Sequence, residues 1–388
     1  MVHSSQRALN LYFFNVKKIL LICDKNECTS FGRLTLCLQQ ALENDFLVEI
    51  CWLKTPKFFP DGSPSKGVVV EAKSLYTGFW SFRRPLKKII KNFKPDIVFF
   101  IRPELGFLVP VAQKACKGMD KSCHTVMFIH DTFAETLYPG SLKFKLLNLF
   151  YIKNTVRAHS FVYNSQWTRT EAEKHFKLQG SQGTVIGCPI AENLFFKGER
   201  PATAEERRLF RQSHGIKNFN GMCLNVSLDE PRKNIDTFLE MARLRPNTAF
   251  VRVGKLSERI RSVINEKQLW NVFHFNRFSG RELREFYRHC DLMVYPSFLE
   301  GFGLPPIEAL ACGTPSVSAG TSALKENLDG VTPLVVPADN AEAYALVLDR
   351  VLAGEKVVHE AAVEKLLEQC SMDAFAKRVV AALNVSEI

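Results

Sequence analysis

Short continuous apolar runs alternate with amphipathic stretches through most of this chain, and no other feature restricts its fold so strongly. KKILLIC (17–23) leads into the helix-like RLTLCLQQALE (33–43), and FLVEICWL (46–53) follows as a second run. In 82–94, Phe82, Leu86, Ile89, Ile90 and Phe93 share one helical face, and Pro95 ends that helix before the run DIVFFI (96–101). HTVMFIHD (124–131) and HSFVYNS (159–165) continue the series. A strand covered on both faces is apolar throughout instead of alternating, as the strands of a parallel sheet are. Strand and helix in alternation therefore predict a doubly wound α/β architecture.

The pattern loosens across AENLFFKGERPATAEERRL (191–209), which reads as a hinge and connector, and then restarts. GMCLNVS (221–227), TAFVRVG (248–254), VFHFNR (272–277) and DLMVYPS (291–297) read as strands. NIDTFLEMARL (234–244), SERIRSVINEKQL (257–269) and RELREFYRHC (281–290) read as the helices between them. IEALACG, the strand PSVSA (315–319) and helical stretches near 341–353 and 372–384 close the chain. A length of 388 residues suits two domains of similar size. The expected division is a loose extension over 1–16, Rossmann-like domains over 17–195 and 196–370, and a helix over 371–388 packing back on the first domain.

Composition matters for partners more than for fold. With 46% hydrophobic and 23% charged residues, wholesale disorder and fibrous repeats are excluded. The net charge of +11 is uneven: residues 1–200 hold 28 Lys+Arg against 16 Asp+Glu, and residues 201–388 hold 23 against 24. An anionic partner is thus to be sought in the first half. The eleven cysteines are scattered, form no CxxC and sit mostly in apolar stretches, which predicts reduced core thiols, no zinc site and a cytoplasmic location. No apolar run approaches the ~20 residues of a membrane span, and MVHSSQRALNLYFFNVKK lacks a small-residue cleavage site.

The segment YPSFLEGFGLPPIEALACGTPSVSAG (295–320) carries the most chemistry. A strand ends, a glycine-containing loop follows, and Pro305-Pro306 open a helix at positions whose missing N–H groups cost nothing. Free N–H groups at a helix start favour an anion, and Gly301 and Gly303 let the backbone come close to it. Glu300 and Glu308 flank the loop with E-x7-E spacing. Carboxylates beside a phosphate site accept hydrogen bonds from sugar hydroxyls, so the segment fits a sugar nucleotide at the carboxyl ends of parallel strands. Glu308 could equally just complement the helix dipole.

From Tyr295 to Val317 this segment resembles the donor-site signature of GT-B glycosyltransferases of family 4 (glycosyl transferases group 1). The likeness extends loosely over the C-terminal half and by layout over the N-terminal half. It implies two Rossmann-like domains facing across a cleft and a retaining, metal-independent sugar transfer, with no cofactor beyond the GDP- or UDP-linked donor substrate. The GFGLPP variant leans towards GDP-mannose. Glu300 is then expected to contact the donor sugar and Glu308 the ribose, with Gly301, Phe302, Gly303 and Leu304 lying along the donor. Asp-x-Asp, the metal-binding device of the other large glycosyltransferase fold, occurs nowhere in the chain.

The resemblance also marks LDEPRKNID (228–236). Lys233 matches a lysine that grips the donor diphosphate, whereas Ser227 stands where an arginine is expected and Arg232 is a possible substitute. Cations facing a diphosphate stabilise the leaving group; solvated charges at a helix start are the alternative. His130, at the end of HTVMFIHD, matches a histidine facing the donor sugar, although a histidine there can also bond a nearby carbonyl. Ser165 reads as a helix cap. Glu300, Lys233 and His130 are the catalytic expectation. The first strand–helix junction has only Gly32 beside Arg33, so acceptor recognition is the least determined part.

Arg83, Arg84, Lys87, Lys88, Lys91 and Lys94 place six cations within twelve residues beside an apolar stripe. Such a helix can lie on an anionic membrane, each cation adding about 1 kcal/mol near the surface, or can pack on a sheet with a solvated basic face. The expected partners are therefore a nucleotide sugar, a glycan or lipid-linked acceptor and an anionic membrane surface, with no nucleic-acid motif present. A sugar-nucleotide epimerase or phosphorylase on the same fold, and a catalytically silent binding partner, are the alternatives.

Overall fold

In the computed structural model the described residues are 16–27, 29–56, 59, 64–72, 81–119, 122–132, 142, 153–178, 183–196, 198 and 201–384. The expected extension over 1–16 lies outside them but for Val16. They form two compact units, 1–189 with 372–388, and 190–371.

The first unit carries β1 (Lys18–Cys23), β2 (Leu47–Lys54), β3 (Val68–Glu71), β4 (Ile97–Phe100), β5 (His124–Ile129), β6 (Ser160–Tyr163) and β7 (Gly183–Val185). They make one parallel sheet in the order β3-β2-β1-β4-β5-β6-β7. Its helices include α1 (Ser30–Leu42), α2 (Arg83–Phe93), α3 (Val109–Lys117) and α4 (Gln166–Phe176). Both sheet faces are apolar, as the continuous runs require: Leu20, Ile22, Val98 and Phe100 meet Leu86 and Ile90 of α2 on one side. Ile19, Leu21 and Phe99 meet Leu38 and Leu42 of α1 on the other. Ser165 caps α4, accepting the Thr168 N–H at 3.0 Å.

The second unit begins with α5 (Ala204–Ser213) and β8 (Gly221–Val226), then α6 (Ile235–Leu244), β9 (Thr248–Val253), α7 (Glu258–Glu266), β10 (Val272–Phe275), α8 (Gly280–His289) and β11 (Leu292–Tyr295). There follow α9 (Leu304–Ala311), β12 (Ser316–Ala319), α10 (Ser322–Leu328), β13 (Leu334–Val335), α11 (Ala341–Leu352) and α12 (Glu360–Gln369). Its parallel sheet runs β10-β9-β8-β11-β12-β13. The last helix, α13 (Met372–Asn384), belongs to the first unit, where Phe375, Val379 and Leu383 join the core of α1.

Two expectations change. The chain passes into the second unit at Ile190 rather than after 195, because Ile190 and Phe195 already lie in that unit's core and Ile190 N–H bonds Cys370 O. Nor are all cysteines reduced: Cys116 and Cys123 form a disulfide. The end of α3 and the approach to β5 bring their Cα atoms to 5.7 Å, within disulfide range, and a C-x6-C spacing gave no hint of it. Cys23, Cys51, Cys188, Cys223, Cys290, Cys312 and Cys370 are free and buried, and Cys37 is free and half-buried. Cys28 is outside the described residues.

Candidate functional site

Each sheet reverses its strand order once, between β1 and β4 in one unit and between β8 and β11 in the other. Ligands of such sheets bind outside the carboxyl ends at these points. In the second unit the two loops leaving β8 and β11 are tied together there. Phe298 N–H and Ser297 Oγ–H donate to Arg232 O at 2.7 and 3.0 Å. Asn234, in left-handed backbone at φ 53°, donates to Pro296 O at 3.0 Å and Ala338 O at 2.9 Å.

Three of the expected residues converge on this junction. The Pro231–Lys233 turn presents Lys233, whose Nζ donates to Glu300 Oε1 at 2.5 Å and Tyr295 OH at 2.9 Å. Arg232 donates to Glu300 Oε2 at 3.2 Å and Leu299 O at 3.0 Å, and pairs with Glu230 at 2.7 Å. Lys233 and Glu300 are only 7% and 6% exposed, so their mutual charge is weakly screened. Burial pushes the Glu300 carboxyl up, but Lys233 and Arg232 outweigh it and hold the group below the usual carboxylate range, ionised at neutral pH.

The GFG loop leads from Glu300 into α9. Gly303 is the N-cap of α9 at φ 91°, a left-handed conformation in which a side chain is strained. Asn327 Nδ2 fixes the Phe302 carbonyl at 2.8 Å, and Ser322 Oγ accepts the Glu300 N–H at 2.9 Å. Leu304 and Pro305 open the helix. Glu308 is half-buried and accepts a hydrogen bond from the Tyr287 hydroxyl at 3.0 Å, which orients its carboxylate. Ser227 Oγ–H donates to Asn225 Oδ1 at 3.1 Å.

His130 belongs to the first unit, and its Nε2 lies 2.6 Å from Ile101 O. A carbonyl only accepts, so Nε2 carries the proton and Nδ1 the lone pair. Its ring lies 3.8 Å from Phe128 and 4.9 Å from Phe31, centroid to centroid, and burial pushes its pKa down to about 3. Sequence reasoning missed the neighbours that end β1 and β4. Asp24 is fully buried, with Arg102 NH1 at 3.7 Å and Lys25 Nζ at 4.0 Å. Arg102 also grips Glu104 through Nε at 2.8 Å and faces the Phe31 ring at 5.1 Å. The signal was present: each charge directly follows an apolar run at the strand edge where the order reverses.

Comparison with known proteins agrees with this architecture. The model of "Glycosyltransferase Family 4" matches residues 34–193 and that of "Glycosyl transferases group 1" matches residues 206–375. A D-inositol 3-phosphate glycosyltransferase of Mycobacterium sp. is 40% identical over 210 residues, 51% of this chain and 46% of that one. The lipopolysaccharide glucosyltransferase WaaG of Escherichia coli is 28% identical over 150 residues, 37% of this chain and 39% of its own length. The aligned part spans about half the length, or less, of such curated relatives. Among solved structures, the fold matches sucrose-phosphate synthase of Thermosynechococcus elongatus with a TM-score of 0.75 at 17% identity, covering 95% of this chain and 98% of that one. Anabaena HepE in complex with UDP and glucose matches with a TM-score of 0.73 at 16% identity, covering 95% and 100%. With a family model on each half and two sheets of this order, the chain belongs to the GT-B glycosyltransferases of family 4, group 1.

Proposed function

We propose that this protein is a retaining hexosyltransferase that takes a sugar from a nucleoside diphosphate donor, GDP-mannose ahead of UDP-sugars, without a metal ion. The observation that carries the reading is the buried Lys233–Glu300 pair at the strand-order reversal, 2.5 Å long and next to the glycine-started helix α9. A carboxylate held ionised and oriented by two cations accepts hydrogen bonds from donor sugar hydroxyls. The same two cations face the diphosphate as it gathers charge on leaving, and such fixed charges act on the transition state without reorganisation. Glu308, oriented by Tyr287, is a ready acceptor for ribose hydroxyls. No protein group is assigned as nucleophile or base.

The Asp24–Arg102 cluster supplies acceptor-side groups in this reading, with a glycan or lipid-linked acceptor, and His130 keeps its expected role toward the donor sugar. The names of relatives, a mannosyltransferase WbdA of Escherichia coli at 26% identity among them, support a hexose donor. The experiment is a thermal-shift panel of nucleoside diphosphates and sugar nucleotides, since a ligand that binds only the folded state raises its melting temperature by mass action. A shift with one sugar nucleotide, followed by its consumption only when an acceptor extract is added, supports transfer. Conversion of the donor without acceptor would identify an epimerase instead, and no shift with any of them would overturn the reading.

A further inference from the structure

Arg252 is the last residue but one of β9, in register with Asn225 of β8, and its side chain is 1% exposed. Of its three guanidinium nitrogens only NH1 is bonded, to the adjacent Val253 carbonyl; Nε and NH2 are buried without a partner. The carboxylate that acts on it, Asp229, is not in an ion pair with it and uses Oδ2 to accept the Ser257 N–H at 2.6 Å. A structural buried cation is normally matched inside the protein, because leaving it unmatched is costly. Here it is unmatched, and burial lowers its pKa to about 10.

The cover over this charge is thin. Gly254, at φ 129°, has no room for a side chain: a Cβ would lie 2.1 Å from Ser227 O and 2.9 Å from Arg252 NH1. NH1 of the guanidinium thus lies against the backbone of Gly254, which is half-buried like Ser227, on the same loop side of the sheet as Arg232 and Lys233. Arg232 divides its charge between Glu300 and Glu230 and also donates to the Leu299 carbonyl, whereas Arg252 is in no ion pair among the described residues.

We propose that Arg252 is the buried counter-charge for the phosphoryl groups of the donor, an anion seated over Ser227 and Gly254 supplying the negative charge that the free protein leaves out. The inference rests on the donor reading above. Nε and NH2 lie beneath that backbone, so the charge acts on the phosphoryl groups through a weakly screening interior instead of by direct contact.

The test compares wild type with Arg252→Met and Arg252→Lys by calorimetric titration and thermal melting, using UDP, GDP, UMP, GMP and inorganic pyrophosphate. Removing an unmatched charge leaves the unliganded protein melting no lower, while affinity for the diphosphate that wild type binds falls about tenfold, with a smaller loss for the monophosphate. Arg252→Lys, which keeps a charge at this place, loses less than Arg252→Met. An Arg252→Met protein that binds diphosphate as wild type does, or that melts lower or fails to fold without ligand, overturns the proposal. If wild type itself binds none of the probes, the donor reading fails; binding by wild type with no change in Arg252→Met sinks only this assignment.

Discussion

At Lys233 and Glu300, truncation and isosteric replacement are different experiments. Both side chains are buried and joined at 2.5 Å, so Lys233→Ala strands a buried carboxylate with Arg232 as its one remaining cation. That variant is expected to lose about 3 kcal/mol of stability along with transfer, whereas Glu300→Gln keeps the shape and loses transfer at a smaller cost. Urea melts beside donor turnover separate the two effects, and full turnover in both variants would refute the site. The pH dependence has a definite sign. Glu300 has its pKa depressed in the fold, so its contribution is present above the usual carboxylate pKa and is lost as pH falls through the folded value. In Glu300→Gln the acid limb of stability below about pH 4.5 therefore flattens. His130 works in another window. Its folded pKa of about 3 lies below that of a solvated imidazole, so the unfolded chain takes up the proton first and the fold loses stability as pH falls from about 6.5 towards 3. His130→Gln, which can still donate to Ile101 O, should remove that slope, and melting curves across this range read it directly.

Helix α2 carries the basic stretch and the apolar stripe on one element. Leu86 and Ile90 are buried against the sheet, while Arg84, Lys88, Lys91 and Lys94 are exposed. The apolar stripe thus packs on the sheet, and these cations face outward. Charge reversal at Lys87, Lys88 and Lys91 is expected to abolish sedimentation with anionic liposomes while leaving the melting temperature within a few degrees of wild type. Unchanged sedimentation would remove the membrane from the account. Legibility at this scale followed burial. β1, β4, β5, β8, β9 and β11 were plain in the sequence because both faces are covered. Of the edge strands, β10 was legible by its VFHF run, while β3, β7 and β13, with four, three and two residues, were not read. Helix α5 was read as connector although its capping box, Thr203 with Glu206, stood in the sequence. At the site, the GFG loop and Lys233 were legible because a local motif spells them. Asp24 and Arg102 were missed although each directly follows an apolar run, and Arg252 was hidden inside such a run, where only the fold shows that its charge is buried. Among the described residues no helix is long and apolar enough to cross a membrane.

The distribution of charge and the path of the chain belong to the whole molecule. The excess of cations falls in residues 1–200, while the half that holds Lys233 and Glu300 is near neutral. The units are also not consecutive in sequence. The chain enters the second at Ile190, leaves it at Ser371 and returns to the first as α13. Ile190 N–H meets Cys370 O at 2.9 Å, so the two crossings are adjacent. Phe375, Val379 and Leu383 are 0%, 1% and 2% exposed against Leu38 and Leu42 of α1, and Arg378 Nε bonds Ile186 O at 2.8 Å. Full burial of a large apolar side chain is worth about 1.5–3 kcal/mol, so three of them approach the whole stability of a typical domain. A chain ending at Ser371 is therefore expected to lose cooperative folding of the first unit while the second, whose core α13 does not enter, stays folded. Limited proteolysis should then leave a resistant fragment starting near residue 190 that still melts cooperatively and still shifts with any nucleotide that the intact protein binds. A truncated chain whose first unit resists protease as well as the full one does would show that α13 is dispensable to that core.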